Sequence, residues 1–225
     1  MKTSHLIITS LTIGLIQMSA CGETVDELSL SDSKVETNME SSGELTSFQS
    51  YIDQFPTGQL SDQEITGLQF MREEEKLARD IYISLNAKWE VLTFKNISKS
   101  EQVHMDAILG LLNKYDIEDP AEGNDVGVFT NEDLQKLYNQ LIEKGNSSLV
   151  DALQVGALIE ETDIEDIQNI IDEDVQSEDI KFVLTNLKRA SGYHLRAFVG
   201  KLKLYNVDYA PEILDIDTFN DLVDK

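Results

Sequence analysis

The sequence predicts an all-α protein, and three observations support this fold class. Long stretches of the chain place apolar residues every three or four positions, which is the spacing of an amphipathic helix. Only 3 Pro and 12 Gly interrupt 225 residues, so short strands and tight hairpins have few turn signals. With 41% hydrophobic residues, the chain can bury a sizeable core in one or at most two domains.

The charge balance excludes one large class of partners. The chain has 18 Lys+Arg against 42 Asp+Glu, which gives a formal net charge of −24. A nucleic-acid binder needs clustered cations to displace the counterions of the phosphate backbone. We therefore expect no nucleic-acid partner.

The first twenty residues have the pattern of an export signal. Lys2 precedes an apolar run, and small residues lead to Cys21, the only cysteine of the chain. Residues 18–21 (MSAC) resemble the bacterial lipobox, although Met18 stands where that pattern usually has Leu. The resemblance implies that residues 1–20 are a lipoprotein signal peptide and that Cys21 is lipidated, which anchors an exported protein to a membrane of the bacterial cell envelope. The alternative is an ordinary signal peptide followed by an incidental cysteine.

The rest of the chain divides into three segments. Residues 21–59 are acidic, Ser-rich and without sustained helical periodicity, which is typical of a tether. Regular helical patterning extends over residues 60–204, the expected bundle domain. Residues 205–225 are expected to form a C-terminal tail that packs on the bundle.

The first long helix begins at a capping-box pattern, Ser61 to Glu64. The inward-facing residues of this helix, called its seam, follow one another alternately at three and four positions, and one of them is a carboxylate. Its members are Leu68, Met71, Glu75, Ala78, Tyr82, Leu85 and Trp89. Glu75 belongs to the acidic run 73–75, and such a run usually faces solvent; the apolar register selects Glu75 as the member that points inward.

The second helix has the same spacing and two polar residues on its apolar face. Its seam is Phe94, Ile97, Glu101, His104, Ile108, Leu111 and Tyr115. Thr93 is the expected N-cap. The alternative is a second capping box from Ser98 to Glu101, which would start the helix later and leave Glu101 near solvent.

Two more long helices follow an extended link. The link runs from Tyr115 to Ser147 and contains a short helix, about Asn131 to Glu143, after the expected cap Thr130. The third seam is Leu149, Leu153, Gly156, Glu160, Asp163, Ile167 and Ile170, and the fourth is Ile180, Leu184, Leu187, Ser191, His194 and Phe198. One long crossover between the second and third helices is the topology of a ferritin-like four-helix bundle.

Polar side chains interrupt all four seams near mid-helix. An unpaired buried carboxylate is costly, so such residues are neutralised, paired or bound to a metal. Four helices that direct Glu or His inward at a similar level could meet this cost together by coordinating a cation. Both histidines that follow the signal segment, His104 and His194, lie at these interruptions. Either one alone is more often a hydrogen-bonded core residue, and the combination is the more specific signal.

Four segments together resemble a widespread prokaryotic ferritin-like domain of unknown function, over roughly Leu60 to Leu204. They are MREEEKLARDIYISL, FKNISKSEQVHM, VGALIEETDIEDI and SGYHLRAF. More distantly, the first two are similar to the first half-site of bacterioferritins and rubrerythrins. That likeness implies Glu75 as a terminal carboxylate, Glu101 as a bridging carboxylate and His104 as an imidazole ligand.

The second half of the expected site is less complete. Glu160 matches the third-helix carboxylate, and Glu161 is its fallback because consecutive helix residues point about 100° apart. The di-iron pattern also has a Glu three residues before its last histidine, and this chain has Ser191 before His194. The expected metal ligands, which could hold one divalent ion or two with extra water, are Glu75, Glu101, His104, Glu160 and His194.

These expectations lead to one leading hypothesis and one rival. The first is an exported, lipid-anchored ferritin-like protein that binds a transition metal in the bundle core, with iron ahead of manganese or zinc. With two irons, the resemblance implies a di-iron-type oxidoreductase that oxidises Fe(II) or reduces oxygen or peroxide. Tyr82 is then either a hydrogen-bond donor beside the site or an ordinary core tyrosine. The rival, favoured by Ser191, is a non-enzymatic envelope scaffold or interaction module with a vestigial metal site. For either hypothesis, the expected partners are the membrane and, in a homodimer, a second copy of the chain.

Overall fold

The structure, a computed structural model, describes residues 48–173 and 175–224, and its regular elements are all helices. Residues 48–52, where the described part of the chain begins, are helical (α1) and precede six further helices. They are α2 (Asp62–Trp89), α3 (Leu92–Lys114), α4 (Glu132–Gly145), α5 (Leu149–Glu173), α6 (Glu178–Leu204) and α7 (Ile216–Val223). The predicted all-α class is therefore confirmed. Over the described residues, no helix has the length and hydropathy needed to cross a membrane.

The four long helices α2, α3, α5 and α6 form the bundle. Helix α2 packs along α3, α5 packs along α6, and the two pairs meet where α2 contacts α5 and α3 contacts α6. Helix α4 lies in the crossover between α3 and α5 and packs against both α2 and α5. The single long crossover thus connects the second and third bundle helices, as predicted.

The four predicted seams form the core of this bundle. Leu85, Phe94, Leu187 and Phe198 have no exposed surface, and the polar residues of the seams are buried beside them. Only the ends of the seams, such as Trp89, are partly exposed. The polar interruptions therefore lie inside the core and not on a solvated face.

The predicted capping box at the start of α2 is present, and it also organises α6. The Ser61 hydroxyl accepts the Glu64 N–H at 3.1 Å, and the Glu64 carboxylate accepts the Ser61 N–H at 2.9 Å. The other Glu64 oxygen accepts the backbone N–H groups of Gln176 and Ser177, each at 3.0 Å. One buried carboxylate thus links the beginnings of α2 and α6.

Helix α3 begins differently from the prediction. It starts at Leu92 after Val91, which makes no side-chain cap bond, so the expected N-cap Thr93 already lies inside the helix. The later start at a Ser98–Glu101 capping box is also wrong, because Glu101 is buried in the middle of α3. The apolar spacing was the better guide because the seam is packed along its whole length.

Helix α4 is capped one residue later than predicted. The side-chain oxygen of Asn131 accepts the N–H groups of Asp133 and Leu134, at 2.9 and 3.2 Å. Thr130, the expected cap, instead donates its hydroxyl to the Pro120 carbonyl at 2.7 Å. Asparagine is among the strongest N-caps, so Asn131 caps α4. Thr130 binds the crossover backbone instead.

The packed part of the chain begins inside the segment expected to be a tether. Ile52 is fully buried, and the Tyr51 ring stacks on Phe182 of α6 with ring centroids 3.6 Å apart. Lys114 of α3 donates to the backbone carbonyls of Ile52 and Phe55 at 2.9 and 3.0 Å. Packing thus starts before the expected boundary at residue 59. The expected signal peptide, the Cys21 lipidation site and the tether up to residue 47 lie outside the described residues.

The C-terminal segment lies against α6. Leu214 and Phe219 are buried, and Arg196 of α6 donates to the Leu222 carbonyl of α7 at 2.6 and 2.9 Å. These contacts close one side of the bundle near the middle of α5 and α6.

Candidate metal centre

The five residues expected to be metal ligands converge in the middle of the bundle. Helix α2 provides Glu75, α3 provides Glu101 and His104, α5 provides Glu160 and α6 provides His194. None of them exposes more than 6% of its surface. Together they form a buried carboxylate and imidazole cluster, named here the central cluster.

One half of the central cluster surrounds His104. Its Nδ1 lies 3.1 Å from Oε2 of Glu75 and 2.7 Å from Oε2 of Glu101. Glu101 and His104 are three residues apart on one face of α3, so both reach Glu75 of α2. Ligand atoms of these three residues all lie within 4.8 Å of one another.

The other half surrounds His194 and shares Glu101 with the first. Nδ1 of His194 lies 2.9 Å from Oε1 of Glu101 and 3.3 Å from Oε2 of Glu160. Glu101 therefore presents one oxygen to each histidine, and the two imidazole rings lie 5.6 Å apart, centroid to centroid. Glu101, Glu160 and His194 form the second group whose ligand atoms lie within 4.8 Å of one another.

Several buried atoms of the central cluster lack a hydrogen-bond partner among the described residues. They are Oε1 of Glu75, Oε1 of Glu101 and Nδ1 of His194. The last two lie 2.9 Å apart but without hydrogen-bond geometry. A buried polar atom left unsatisfied costs about 1–3 kcal/mol, and a cation between these atoms would remove that cost. Carboxylate oxygen and imidazole nitrogen are donors that iron, manganese and zinc accept, so the residues fit a transition metal.

Two neighbouring side chains orient the ligands. The Tyr82 hydroxyl donates to Oε1 of Glu160 at 2.6 Å, so Tyr82 is a hydrogen-bond donor to the cluster as well as a core residue. Nε2 of His194 lies 3.0 Å from the Ser100 hydroxyl. When that Nε2–H donates to Ser100, Nδ1 keeps its lone pair directed at the carboxylates. Ser100 was not a predicted site residue, although it lies three residues after Ile97 and therefore on the same face of α3.

Burial and mutual attraction act oppositely on the charges of the central cluster. Burial disfavours both imidazolium ions, but the adjacent carboxylates raise the pKa of His194 to about 10 and that of His104 well above its usual range. Burial opposes ionisation of Glu101 too, but the two imidazoles hold the pKa of its carboxyl below the usual range. Burial is the dominant effect on Glu75 and raises its pKa to about 7. Without a metal, protons on the imidazoles thus balance part of the negative charge.

Two further polar residues lie beside the central cluster. Asp163 of α5 and Ser191 of α6 are buried, and the Ser191 hydroxyl donates to Oδ2 of Asp163. Burial and the negative charges of Glu75 and Glu160 raise the pKa of Asp163 well above its usual range. Asp163 belongs to the predicted third seam but was not among the predicted ligands.

Glu161, the fallback ligand, belongs to another part of the molecule. Its carboxylate is fully buried and accepts the N–H groups of Glu212, Ile213 and Leu214 at 3.0 to 3.2 Å. The Tyr209 hydroxyl also donates to it, at 2.5 Å. Glu161 therefore holds the C-terminal segment, and Glu160 is the α5 residue that faces the central cluster.

The acidic run beside Glu75 is not a solvated face. Glu73 is buried and accepts the N–H groups of Thr130 and Asn131, at 2.6 and 2.9 Å, where the crossover enters α4. Glu74 is also buried, and burial together with the charge of Asp166 raises its pKa well above the usual range. The expectation that this run faces solvent is therefore wrong for its other two members, because the crossover and α5 cover them.

Comparisons with known proteins identify relatives of the whole domain. A family model described as "Uncharacterized protein domain (DUF2202)" matches residues 64–225. The "Uncharacterized protein MJ0754" of Methanocaldococcus jannaschii is 47% identical over 173 residues, which are 77% of this chain and 93% of the relative. The crystal structure of hypothetical protein MJ0754 from Methanococcus jannaschii superposes with a TM-score of 0.74 at 46% identity, over 76% of this chain and 97% of that one.

Proposed function

We propose, for a chain that belongs to the DUF2202 family of uncharacterized domains, that the protein binds a transition metal at the centre of its helical bundle. One observation supports this most strongly. Buried ligand atoms of Glu75, Glu101 and His194 lack a hydrogen-bond partner among the described residues, and they belong to two groups of ligand atoms that share Glu101. A native core seldom leaves several such atoms together unless something else satisfies them.

Each residue of the central cluster has a distinct part in this proposal. Glu75 and His104 serve one side, Glu160 and His194 serve the other, and Glu101 serves both because its two oxygens face different histidines. Metal binding requires that the imidazoles give up their protons, so the chain releases protons as it binds.

Iron is the proposed ion because of the ferritin-like resemblance. Mixed imidazole and carboxylate ligands also suit manganese and zinc. Two bound Fe(II) ions would supply the two electrons that reduction of a peroxide bond consumes. The rings of Tyr82, Phe94 and Phe198 pack at 5.3 to 6.1 Å from one another beside the site and exclude water from that side. The ferritin-like resemblance is part of the same proposal, with an oxidoreductase activity of the di-iron type.

A location in the cell envelope completes the proposal and rests on the sequence alone. Cys21 follows an export-signal pattern and would attach the protein to a membrane through lipid. Cys21→Ser should release the exported protein into a soluble fraction. Unchanged membrane partition of that variant would refute the lipid anchor.

Metal analysis of the full chain tests the proposed binding. After incubation with Fe(II), Mn(II) or Zn(II) and removal of free metal, we expect stoichiometric bound metal by elemental analysis. Glu101→Gln should abolish or strongly weaken binding because Glu101 contacts both histidines. The matched control is Glu143→Gln, which neutralises an exposed carboxylate of α4. With Fe(II), consumption of peroxide by the wild type but not by Glu101→Gln would support the redox proposal.

A specific observation favours the rival, a scaffold or interaction module without metal. His104 lies at ion-pair distance from both Glu75 and Glu101, so protonated imidazole can neutralise part of the cluster by itself. A fully folded wild type that binds none of the three metals would support the scaffold and contradict the proposal.

A further inference from the structure

The seam of α6 offers only one ligand to the central cluster. Ser191 stands three residues before His194, at the position that corresponds to Glu101 before His104 in α3. We propose that Asp163 of α5 supplies the carboxylate that α6 lacks, and that the cluster binds two divalent ions. This inference rests on the proposed metal-binding function.

A direct contact connects Asp163 with the position of the missing carboxylate. The Ser191 side chain is fully buried, and its hydroxyl donates to Oδ2 of Asp163, itself 6% exposed. The carboxylate of Asp163 thus lies against the residue that stands where a glutamate of α6 would begin. Because serine is short, it leaves room for a side chain that arrives from the neighbouring helix.

The register of α5 directs Asp163 toward the central cluster. Glu160 and Asp163 are three residues apart, so they lie on one face, one turn from each other. Glu101 and His104 have the same spacing on α3. Burial raises the pKa of Asp163, and the negative charges of Glu75 and Glu160 raise it further although the Ser191 hydroxyl lowers it, which agrees with a position beside the cluster.

Charge balance distinguishes one ion from two. With Asp163 the buried site has four carboxylates, the same number as a two-metal site in a helical bundle, together with the imidazoles of His104 and His194. Four carboxylates neutralise two divalent ions, whereas one ion would leave two negative charges in the core. Without Asp163, two divalent ions would leave one positive charge. Since a net buried charge is strongly unfavourable, the complete ligand set fits two ions best.

The test is a titration of the metal-free full chain with Co(II) alone, with bound metal measured by elemental analysis and by the cobalt absorption bands. We expect two Co(II) per wild-type chain. Asp163→Asn, which keeps the size of the side chain, should weaken binding of the second ion by about tenfold or more. Placing the carboxylate back on α6, in the double variant Asp163→Asn with Ser191→Glu, should restore it. Ser191→Ala is the smaller perturbation and should weaken the second ion less than Asp163→Asn.

The control is Glu165→Gln, which removes a carboxylate of α5 two residues away and should still bind two ions. Two ions of unchanged affinity in a folded Asp163→Asn variant would overturn the role of Asp163 and leave the metal site standing. A wild type that binds a single ion would overturn the two-ion inference in the same way. Absence of any Co(II) binding by the folded wild type would overturn both this inference and the proposed function.

Discussion

At the scale of single residues, the buried glutamates of this chain differ in what satisfies them. Glu64, Glu73 and Glu161 each accept two or three backbone N–H groups at a helix start or in a connecting segment. Glu75 and Glu101 lie in mid-helix, where the surrounding backbone N–H groups are already bonded within their own helices. For Glu75 and Glu101, the groups that can take this part are the adjacent histidines or a cation.

Glu73 provides a prediction about stability without metal chemistry. Glu73→Ala removes the acceptor for the Thr130 and Asn131 N–H groups, and we expect the free energy of unfolding to fall by about 1–3 kcal/mol. Urea denaturation measures this change. Glu143→Ala, on an exposed face of α4, should shift the free energy of unfolding much less. Equal effects of the two substitutions would contradict the anchoring role of Glu73.

Ser100 provides a prediction about affinity. Ser100→Ala removes the partner of His194 Nε2, so the imidazole loses its fixed orientation, and metal affinity should fall by about 10- to 100-fold. Competition with a chelator of known affinity measures the change. Ser98→Ala, a half-exposed serine on the same helix, should leave affinity unchanged. If both variants bind metal as tightly as the wild type, Ser100 does not orient the ligand.

At the scale of elements, buried charged side chains bind the backbone of the connecting segments. Lys76 of α2 pairs with Asp80 at 2.5 Å and donates to the Asp125 carbonyl of the crossover at 2.8 Å. Asp80 in turn accepts the Gly127 N–H at 2.9 Å, where φ is +79°. A glycine relieves the backbone strain of that conformation. The crossover is thus attached to α2 through Lys76 and Asp80.

The C-terminal segment provides the matching prediction at this scale. Glu161→Ala should free residues 209–214, which then exchange amide hydrogens faster, because their N–H groups lose a buried acceptor. Metal content should stay at the wild-type level, since Glu161 faces away from the central cluster. Hydrogen exchange with mass spectrometry measures the first effect and elemental analysis the second. Loss of metal in this variant would mean that Glu161 serves the site.

At the scale of the whole molecule, pH should act oppositely on the metal-free and metal-bound forms. Without metal, the protonated His194 imidazole stabilises the fold, because the pKa of His194 is raised from 6.5 to about 10. This stabilisation is fully present below pH 6.5 and is lost as pH rises toward 10. The carboxyl pKa of Glu75 is raised from 4.5 to about 7, so the metal-free fold also loses stability as pH rises from 4.5 to about 7. With metal, deprotonation of the ligands strengthens binding, so stability should increase with pH over the same range.

Chemical denaturation of both forms at about pH 6 and about pH 9 measures this difference. We expect the chelator-treated protein to be less stable at the higher pH and the metal-loaded protein to be more stable there. A metal-free protein that gains stability over this interval would contradict the charge arrangement described for the central cluster.

Much of the architecture could be predicted from the sequence because the seams are long and regular. The spacing from Leu68 to Trp89 and its three counterparts identified the bundle helices and the polar residues inside them. The starts of α3 and α4 were predicted less well, since they depend on single caps: Thr93 and Thr130 resembled caps, and only packing decides which residue takes that role. The burial of Glu73 and Glu74 could not be predicted, because the crossover and α5, which cover them, are distant in sequence.

The site was predictable to the extent that periodicity selects a face. It selected Glu75 from three consecutive acids and placed Glu101 and His104 together. It did not reveal that Ser191 meets Asp163, or that Glu161 binds backbone amides more than 40 residues further along the chain. Contacts between helices depend on their relative rotation, which a single seam does not determine.

The most direct test of metal binding is anomalous diffraction from a crystal of the metal-loaded protein, recorded at the absorption edge of the added metal. We predict anomalous density in the bundle core, about 2.0–2.2 Å from Nδ1 of His104 or His194 and from the carboxylate of Glu101. Density only at surface carboxylates, or none in a crystal grown with excess metal, would contradict the account.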